Sequence, residues 1–174
     1  TPIQQVTAVS AAINGGYLYQ PYIAKEWIDP ETNEAVKRTT PKRKRQVISE
    51  ETSQEVREAL ESVVAKGTGK NAYIDGYRVG GKTGTAQKAV DGKYLQDNHI
   101  VSFIGFAPAD DPQLVVYVAV DNPKGTVQFG GTVAAPITGT IIGDSLRALD
   151  VEKRDNQIEK EMSWNDVPLI EVPD

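Results

Sequence analysis

The sequence predicts an α+β fold in which an antiparallel sheet is flanked by helices. Apolar residues recur at helical spacing in three segments, at 2–14, 50–66 and 133–149. Three strand-like runs lie between the last two segments and are joined by turns, which favours antiparallel pairing. Hydrophobic residues make up 39% of the 174 positions and charged residues 25%, a composition typical of a domain with a packed core.

The first part of the chain is predicted to hold two helices separated by a hairpin. Thr1 is a candidate N-cap with Pro2 at the first helical position, and an Asn-Gly-Gly sequence ends the first helix. Strand-like stretches follow at 22–28 and 36–47, and the turn residues at 29–33 favour a hairpin between them. The second helix comes next and is ended by a Gly-Thr-Gly sequence.

The second part of the chain is predicted to form three strands and a final helix. We expect the strands at 77–86, 99–107 and 113–121, and the short connection at 108–112 predicts that the last two form an antiparallel hairpin. The third strand is continuous and apolar, so we expect a central strand that is buried on both faces. A loop of Pro, Gly and Thr residues at 122–132 separates it from the final helix.

Composition excludes several classes of function. The 19 basic and 24 acidic residues give a net charge of −5 and a pI of about 5.0, which argues against a nucleic-acid binder. The chain has no cysteine, which excludes disulfides and thiol catalysis. Its one histidine, His99, makes a multi-histidine metal centre or a Ser-His-Asp triad hard to build, so we expect no metal and no cofactor. No apolar run reaches the ~20 residues of a membrane span.

Charge is unevenly distributed along the chain. Residues 150–174 hold eight acids and three bases, so residues 1–149 are neutral overall. We interpret 1–149 as a globular body and 150–174 as a solvated acidic linker. The basic run at 37–45 could contact nucleic acid, an anionic polymer or lipid headgroups, or it could be a solvated hairpin. Acidic residues nearby and the lack of interleaved aromatics favour the solvated hairpin.

The stretch that carries chemistry is Gly-Gly-Lys-Thr-Gly-Thr at 80–85, within a predicted strand. Glycine is disfavoured in strands because it has no side chain to pack, so three glycines in five residues indicate that something approaches this backbone closely. Alternation along a strand puts Lys82 and Gly84 on one face and Thr83 and Thr85 on the other. A surface strand with a tight glycine turn would explain the same residues, so the flanking sequence decides the interpretation.

Lys-Thr-Gly and its surroundings resemble the class B penicillin-binding transpeptidases, most closely the sporulation-type members of that family. The matching stretches lie at 1–16, 80–87, 98–108, 115–123 and 125–131. The resemblance implies that 1–149 is the C-terminal portion of a transpeptidase domain with the penicillin-binding and serine β-lactamase-like fold. Residues 168–174 resemble the first strand of a PASTA domain, so 150–174 would be an acidic linker leading into a truncated PASTA-like start.

Proteins of this family cross-link peptidoglycan by serine acyl transfer, using D-Ala-D-Ala stem peptides, and β-lactam antibiotics trap the acyl-enzyme. The resemblance therefore implies a D,D-transpeptidase whose partners are stem peptides and β-lactams. On the family pattern Lys82 and Thr85 are catalytic, and Thr83, Gly84 and Thr85 bind substrate. The hydroxyls of Thr83 and Thr85 would hold the substrate carboxylate, and the Thr85 N–H would form half of an oxyanion hole. Gly84 would leave the strand bare, so that a peptide can dock beside it as an added strand.

The family's nucleophile motif, Ser-x-x-Lys, is missing from this chain. None of the serines has lysine three positions later, and the one Ser-x-Asn sequence, at 163–165, follows Lys-Thr-Gly instead of preceding it. We therefore expect the chain alone to be inactive, and the upstream half of the same domain to supply the serine and the first two strands of the sheet. Because the family's last strand pairs with the first, we expect an open, apolar edge at 114–120 in this chain. The resemblance also implies a place at the extracytoplasmic face of the cell membrane, anchored by a span absent from this chain, with division or sporulation proteins as candidate partners.

Two other functions stay open at this point. An inactive penicillin-binding-like scaffold would not need an intact Lys-Thr-Gly strand, and a serine β-lactamase or carboxypeptidase would not need an acidic linker or a PASTA-like end. His99 is either a substrate contact or a partly buried side chain with its hydrogen bonds satisfied, which is the commoner state of a lone histidine before a strand. Residues 125–131 are rich in small and hydroxyl residues and are a candidate border of the cleft.

Overall fold

The computed structural model describes residues 1–125 and 127–160, and the chain divides into two compact units. The first unit spans Thr1–Glu58, and the second begins at Ala59. Helices and antiparallel sheets confirm the predicted α+β class. Along the described part of the chain, no helix is both long enough and apolar enough to cross a membrane.

The first unit combines a helix, the start of a second helix and two small antiparallel sheets. Its elements are α1 (Pro2–Ile13), β1 (Tyr17–Tyr19), β2 (Glu26–Ile28), β3 (Ala35–Arg38), β4 (Arg43–Gln46) and α2 (Glu50–Lys66), which continues into the second unit. β1 pairs with β4, and β2 pairs with β3 in the predicted hairpin. Thr1 is the N-cap of α1, and its amino group donates to Gln4 Oε1 at 2.8 Å.

The strands of the first unit differ from the sequence prediction. The stretch expected as one strand at 36–47 forms two strands, β3 and β4, which belong to different sheets. Pro41 lies between them, and proline interrupts a ladder because it has no N–H to donate. The sequence does not predict β1, because three residues after a glycine pair are too few to show an alternating pattern.

A buried serine joins the two helices of the first unit. Ser53 Oγ donates to Ala12 O at 2.8 Å and accepts from the Gly15 N–H at 3.0 Å. Arg57 donates to Ile13 O at 3.0 Å. Side chains of α2 therefore satisfy carbonyls at the end of α1 that have no partner within their own helix.

The basic run at 37–45 lies on β3, on β4 and on the connection between them, and both strands are exposed along their whole length. Arg38 pairs with Glu26 at 3.1 Å. The Lys37 ammonium lies 4.6 Å from the centre of the Trp27 ring. The basic side chains of β3 thus contact side chains of the neighbouring strand β2, and the strands remain exposed to solvent. This agrees with the solvated hairpin that the sequence favours.

The second unit is built on an antiparallel meander. Its elements are a 3-10 turn (Lys70–Ala72), β5 (Gly80–Val90), β6 (Lys93–Ala107), β7 (Leu114–Asp121) and α3 (Gly130–Ala148). Each strand pairs with the next along the chain, with Gly84 opposite Ser102 and Ser102 opposite Ala119. The predicted hairpin between the last two strands is confirmed, although β6 begins at Lys93 and not at 99.

Helix α3 packs against this sheet and closes the core of the second unit. The buried cluster contains Val64, Ala72, Tyr77, Val79, Phe103, Ala107, Ala134, Ala135, Ile142 and Leu146. β7 is mostly half-buried and, among the described residues, pairs only with β6. Its other edge is open there, as expected for a chain without the first two strands of the sheet, and within this chain β7 is not a central strand buried on both faces. A continuous apolar sequence predicts that the side chains of a strand are shielded from solvent. It does not predict whether the strand has one or two neighbours in the sheet.

Residues 151–158 lie against the loop that precedes β5. The Arg154 N–H donates to Gly76 O at 2.6 Å. The Gln157 side chain accepts from the Gly76 N–H at 2.6 Å and donates to Ile74 O at 2.8 Å. The start of the acidic tail therefore makes specific contacts with the second unit.

The boundary between a body at 1–149 and an acidic linker at 150–174 stays a prediction. The first residues of the acidic segment, among them Arg154 and Gln157, form hydrogen bonds with residues 74–76 of the body. The PASTA-like sequence at 168–174 and the Ser-x-Asn sequence at 163–165 lie outside the described residues.

A buried ion pair joins α2 to the residues just before β5. The Glu61 side chain is 2% exposed, and its carboxylate accepts two hydrogen bonds from the Arg78 guanidinium, at 3.0 and 2.8 Å. Arg78 also lies 3.6 Å from Asp110. A bidentate pair of this kind fixes the relative orientation of both side chains.

We predict that Glu61→Gln lowers the free energy of unfolding of the chain by about 3 kcal/mol, because a neutral amide no longer balances the charge of the mostly buried Arg78 guanidinium. Urea unfolding followed by circular dichroism measures the change. Asp144→Asn removes an exposed pair with Arg147 on α3 and should change the free energy by no more than about 0.5 kcal/mol. Equal effects of the two substitutions would contradict the prediction.

Candidate active site

Thr83 and Thr85 lie together on one wall of a cleft of about 330 Å³ in the second unit. The lining residues are Thr68, Lys70, Asn71, Thr83, Thr85, Phe129, Gly130, Gly131 and Thr132. The predicted alternation therefore holds, since Lys82 and Gly84 do not line the cleft. Two of the predicted site residues, Thr83 and Thr85, therefore lie two positions apart on β5, with their side chains in the same cleft as the first turn of α3.

Lys82 stands at the entrance of β5 with its side chain exposed. Its ammonium donates to Thr83 O at 3.0 Å and to Thr83 Oγ1 at 3.3 Å. Thr83 Oγ1 also lies 3.4 Å from Thr68 Oγ1, across the cleft wall. A cation and two hydroxyls that share hydrogen bonds form a cluster suited to an anionic group such as a carboxylate.

The glycines of β5 are explained first by packing within the chain. A Cβ added at Gly80 would overlap the Phe106 ring, and one added at Gly81 would lie 2.5 Å from the Phe103 ring. Both rings are fully buried. The expectation of a close approach to this backbone is correct, but at these two positions the approaching groups are aromatic side chains of the adjacent strand.

The third close approach involves the start of α3. The Gly130 N–H donates to Thr85 Oγ1 at 3.4 Å. A Cβ at Gly130 would overlap the carbonyl oxygen of Ser102 and lie 2.6 Å from that of Gly84. The helix can therefore press its first turn directly onto the backbones of β5 and β6, and this contact places the helix beside the cleft.

The sequence predicts the start of α3 at 133, whereas the helix begins at Gly130. Two glycines have low helix propensity, so the pattern assigns them to the loop. The N–H of Val133 donates to Phe129 O at 2.9 Å, which makes Phe129 the N-cap. The expected border of the cleft at 125–131 is correct for Phe129, Gly130 and Gly131, which line it.

The sequence analysis does not predict three of the lining residues that follow α2, because the sequence of this segment indicates only the end of a helix. These residues are Thr68, Lys70 and Asn71. The Asn71 side-chain amide donates to Gly131 O at 2.8 Å and joins the 3-10 turn to the first turn of α3. The Gly-Thr-Gly sequence that contains Thr68 is the one feature that could draw attention to this segment. The sequence does not indicate that Thr68 lies close to Thr83 on β5.

His99 lies on β6 and is not among the residues that line the cleft. Its Nδ1 is 2.7 Å from Gln128 Oε1, in a partly buried contact. Of the two interpretations of this histidine, the partly buried side chain with a satisfied hydrogen bond agrees with the structure.

The edge of β5 that faces away from β6 has no partner strand within residues 1–125 and 127–160. An unpaired strand edge offers N–H and C=O groups to an extended peptide. In the same part of the chain, no group of three or more acidic or histidine side chains could hold a metal ion.

Residues 1–143 match the family model of the penicillin binding protein transpeptidase domain. That match covers most of the chain and agrees with the fold and with the position of Lys-Thr-Gly, so the chain belongs to the class B penicillin-binding transpeptidase family. The resemblance that the sequence suggests is thereby confirmed.

Particular relatives refine this assignment. The chain is 74% identical over 173 residues to stage V sporulation protein D of Bacillus subtilis, covering 99% of this chain and 27% of that protein. It is 46% identical over 112 residues to the probable peptidoglycan D,D-transpeptidase PenA of Neisseria flavescens, covering 64% of this chain and 28% of PenA. The chain thus spans less than a third of the length of these relatives.

Solved structures give the same result for the fold. Penicillin-binding protein 3 of Mycobacterium tuberculosis, complexed with ampicillin, aligns with a TM-score of 0.76 at 30% identity, covering 94% of this chain and 38% of that one. The transpeptidase domain of Burkholderia pseudomallei penicillin-binding protein 3 aligns with a TM-score of 0.69 at 40% identity, covering 86% of this chain and 43% of that one.

We predict that Gly130→Ala lowers the free energy of unfolding by about 2 kcal/mol or more, because the added methyl group meets two backbone oxygens that cannot rotate away. Urea unfolding measures the effect. Gly143→Ala in the same helix is the matched control, since its Cβ would have no neighbour nearer than 3.5 Å. Alanine there should leave stability unchanged or raise it by up to about 1 kcal/mol. A Gly130→Ala variant as stable as Gly143→Ala would show that α3 does not need this close contact.

Proposed function

We propose that this chain is one wall of the active site of a D,D-transpeptidase that cross-links peptidoglycan stem peptides by serine acyl transfer. The observation that carries the proposal is the cleft in which the hydroxyls of Thr83 and Thr85 face the first turn of α3 beside the Lys82 ammonium. Relatives named as peptidoglycan D,D-transpeptidases support the reaction class. The nucleophilic serine would come from the upstream half of the same domain, and the chain by itself would be inactive.

Each site residue has a role in this proposal. The two threonine hydroxyls and the N–H groups at the start of α3 would bind the terminal carboxylate of a D-Ala-D-Ala stem, aided by the Lys82 charge. The free edge of β5, kept bare at Gly84, would pair with the extended peptide. The Thr85 N–H would stabilise the oxyanion that forms when the serine attacks the penultimate D-Ala carbonyl.

The reaction would then proceed in two steps, acylation of the serine and transfer of the acyl group to a second stem peptide. The serine Oγ forms an ester with the penultimate D-Ala, the C–N bond to the terminal D-Ala breaks, and that amine leaves with the proton taken from the serine. The amine of a second stem peptide then attacks the ester carbonyl and forms the cross-linking amide bond, while the C–O bond to the serine breaks and the serine oxygen takes the proton that the amine loses. β-Lactams would acylate the same serine, and one structural relative is a complex with ampicillin.

The cellular setting is also part of the proposal. The 74% identity to a stage V sporulation protein supports a role in sporulation. The family resemblance implies that the full-length protein works at the extracytoplasmic face of the membrane, anchored by a span outside this chain, with division or sporulation proteins as partners.

We predict that the full-length protein forms a covalent adduct with a fluorescent penicillin and that Thr85→Val slows this acylation about 10- to 100-fold. Valine keeps the shape of threonine but removes the hydroxyl that would bind the carboxylate. The second-order rate constant of labelling, followed on denaturing gels, measures the effect.

Thr140→Val is the matched control for this experiment. Thr140 is an exposed threonine of α3 whose hydroxyl donates to Pro136 O at 3.1 Å, away from the cleft. Its substitution should change the labelling rate by less than about twofold. The proposal fails if the wild-type protein is not labelled, which is the result that an inactive scaffold would give. It fails in its residue assignment if Thr85→Val is labelled as fast as wild type.

A further inference from the structure

A hydrogen-bonded chain runs from β6 to the loop before α3. His99 Nδ1 lies 2.7 Å from Gln128 Oε1. The Gln128 side-chain amide donates to Pro123 O at 3.2 Å, and the Asn122 N–H donates to His99 O at 2.8 Å. His99 therefore holds the loop at both of its ends, through its backbone at the start and through its side chain at Gln128.

The chemistry of these partners fixes where the protons are. The Pro123 carbonyl can only accept, so the nitrogen of the Gln128 amide faces Pro123 and its oxygen faces His99. That oxygen can only accept as well, so His99 Nδ1 carries the proton and donates it. The hydrogen bond to Gln128 Oε1 therefore requires a donor at the position of Nδ1. The tautomer that carries its proton only on Nε2 cannot form it.

Gln128 directly precedes the part of the cleft wall that the start of α3 provides. Phe129, which follows it, is the N-cap of α3 and lines the cleft. Gly130 comes next, and its N–H donates to Thr85 Oγ1. A shift of Gln128 would therefore move the first N–H group of α3 relative to the threonine hydroxyl.

We propose that His99 and Gln128 are positioning residues for the acylation site: His99 donates from Nδ1 to Gln128 and thereby sets the distance between the Gly130 N–H and Thr85. The inference rests on the proposed function for its effect on catalysis. It assigns no contact with substrate to either residue, in agreement with the absence of His99 from the cleft lining. If His99 only stabilised the loop, the position of its donor would not matter. A positioning role predicts that the acylation rate depends on whether a substituted side chain has a donor at the position of Nδ1 or of Nε2.

The test compares three substitutions of His99 in the full-length protein. The side-chain nitrogen of asparagine is bonded to Cγ, as Nδ1 is in histidine, so His99→Asn keeps a donor at that position. In His99→Gln the nitrogen lies one bond further out, towards the position of Nε2, and in His99→Ala there is no donor. The acylation rate constant with a fluorescent penicillin and the melting temperature are measured for each, together with amide hydrogen exchange of peptides that contain Gly130.

We expect His99→Ala and His99→Gln to lower the acylation rate constant about tenfold and to speed exchange at Gly130, with His99→Asn within about twofold of wild type on both readouts. Gln128→Ala should lower the rate by a similar factor, and adding it to His99→Ala should cause little further loss, because both act through one contact. Gln113→Ala is the matched amide control, since Gln113 is exposed on the connection between β6 and β7 and its side-chain amide donates to the carbonyl and carboxylate of Asp111. It should leave both readouts unchanged.

Several results would overturn the inference. If His99→Asn acylates as slowly as His99→Gln, the donor at Nδ1 is not what matters. If the rate falls only in proportion to the melting temperature across all variants, His99 is merely structural. If wild-type protein is not acylated, the proposed function fails, and exchange at Gly130 then decides: faster exchange in His99→Ala and His99→Gln but not in His99→Asn supports positioning, and equal exchange in all three refutes it.

Discussion

The cleft depends on one steric constraint, the direct contact of backbone with backbone where the first turn of α3 meets β5 and β6. Gly130 faces Gly84 and Ser102 at a distance that excludes any side chain. Because the helix start is pressed against the strands, its N–H groups and the threonine hydroxyls of β5 reach the same small volume. Asn71 is held beside the same turn of α3 by the hydrogen bond from its side chain to Gly131 O.

Most of the secondary structure could be predicted from local pattern. The sequence predicts helix α2 at 50–66 and the helix spans Glu50–Lys66, because apolar residues at helical spacing follow a Ser49 hydroxyl that accepts from the Thr52 N–H. The errors lie where tertiary contacts overrule local preference. α3 starts three residues early on glycines that packing requires, and β6 extends back to Lys93 through polar residues held by pairing with β5.

The candidate site divides in the same way. Thr83 and Thr85 could be found because a short motif and strand alternation specify them together. Thr68 and Asn71 could not, because they reach the cleft through the path of the chain after α2, and no periodicity records that path. The apolar sequence of β7 predicts a sheltered strand but not which neighbour shelters it, and the open edge follows from the family's strand order instead.

The meander order of the second unit has a consequence for the sequence of folding events. Each strand pairs with the one that follows it, so every pairing of this sheet joins two strands that are consecutive along the chain. The strand that carries Lys-Thr-Gly acquires its sheet partner, β6, and the first turn of α3 from residues made after it. During synthesis, the binding wall is therefore finished from its carboxyl side, and a nascent chain that stops before Gly130 has the motif without the geometry that makes it a wall.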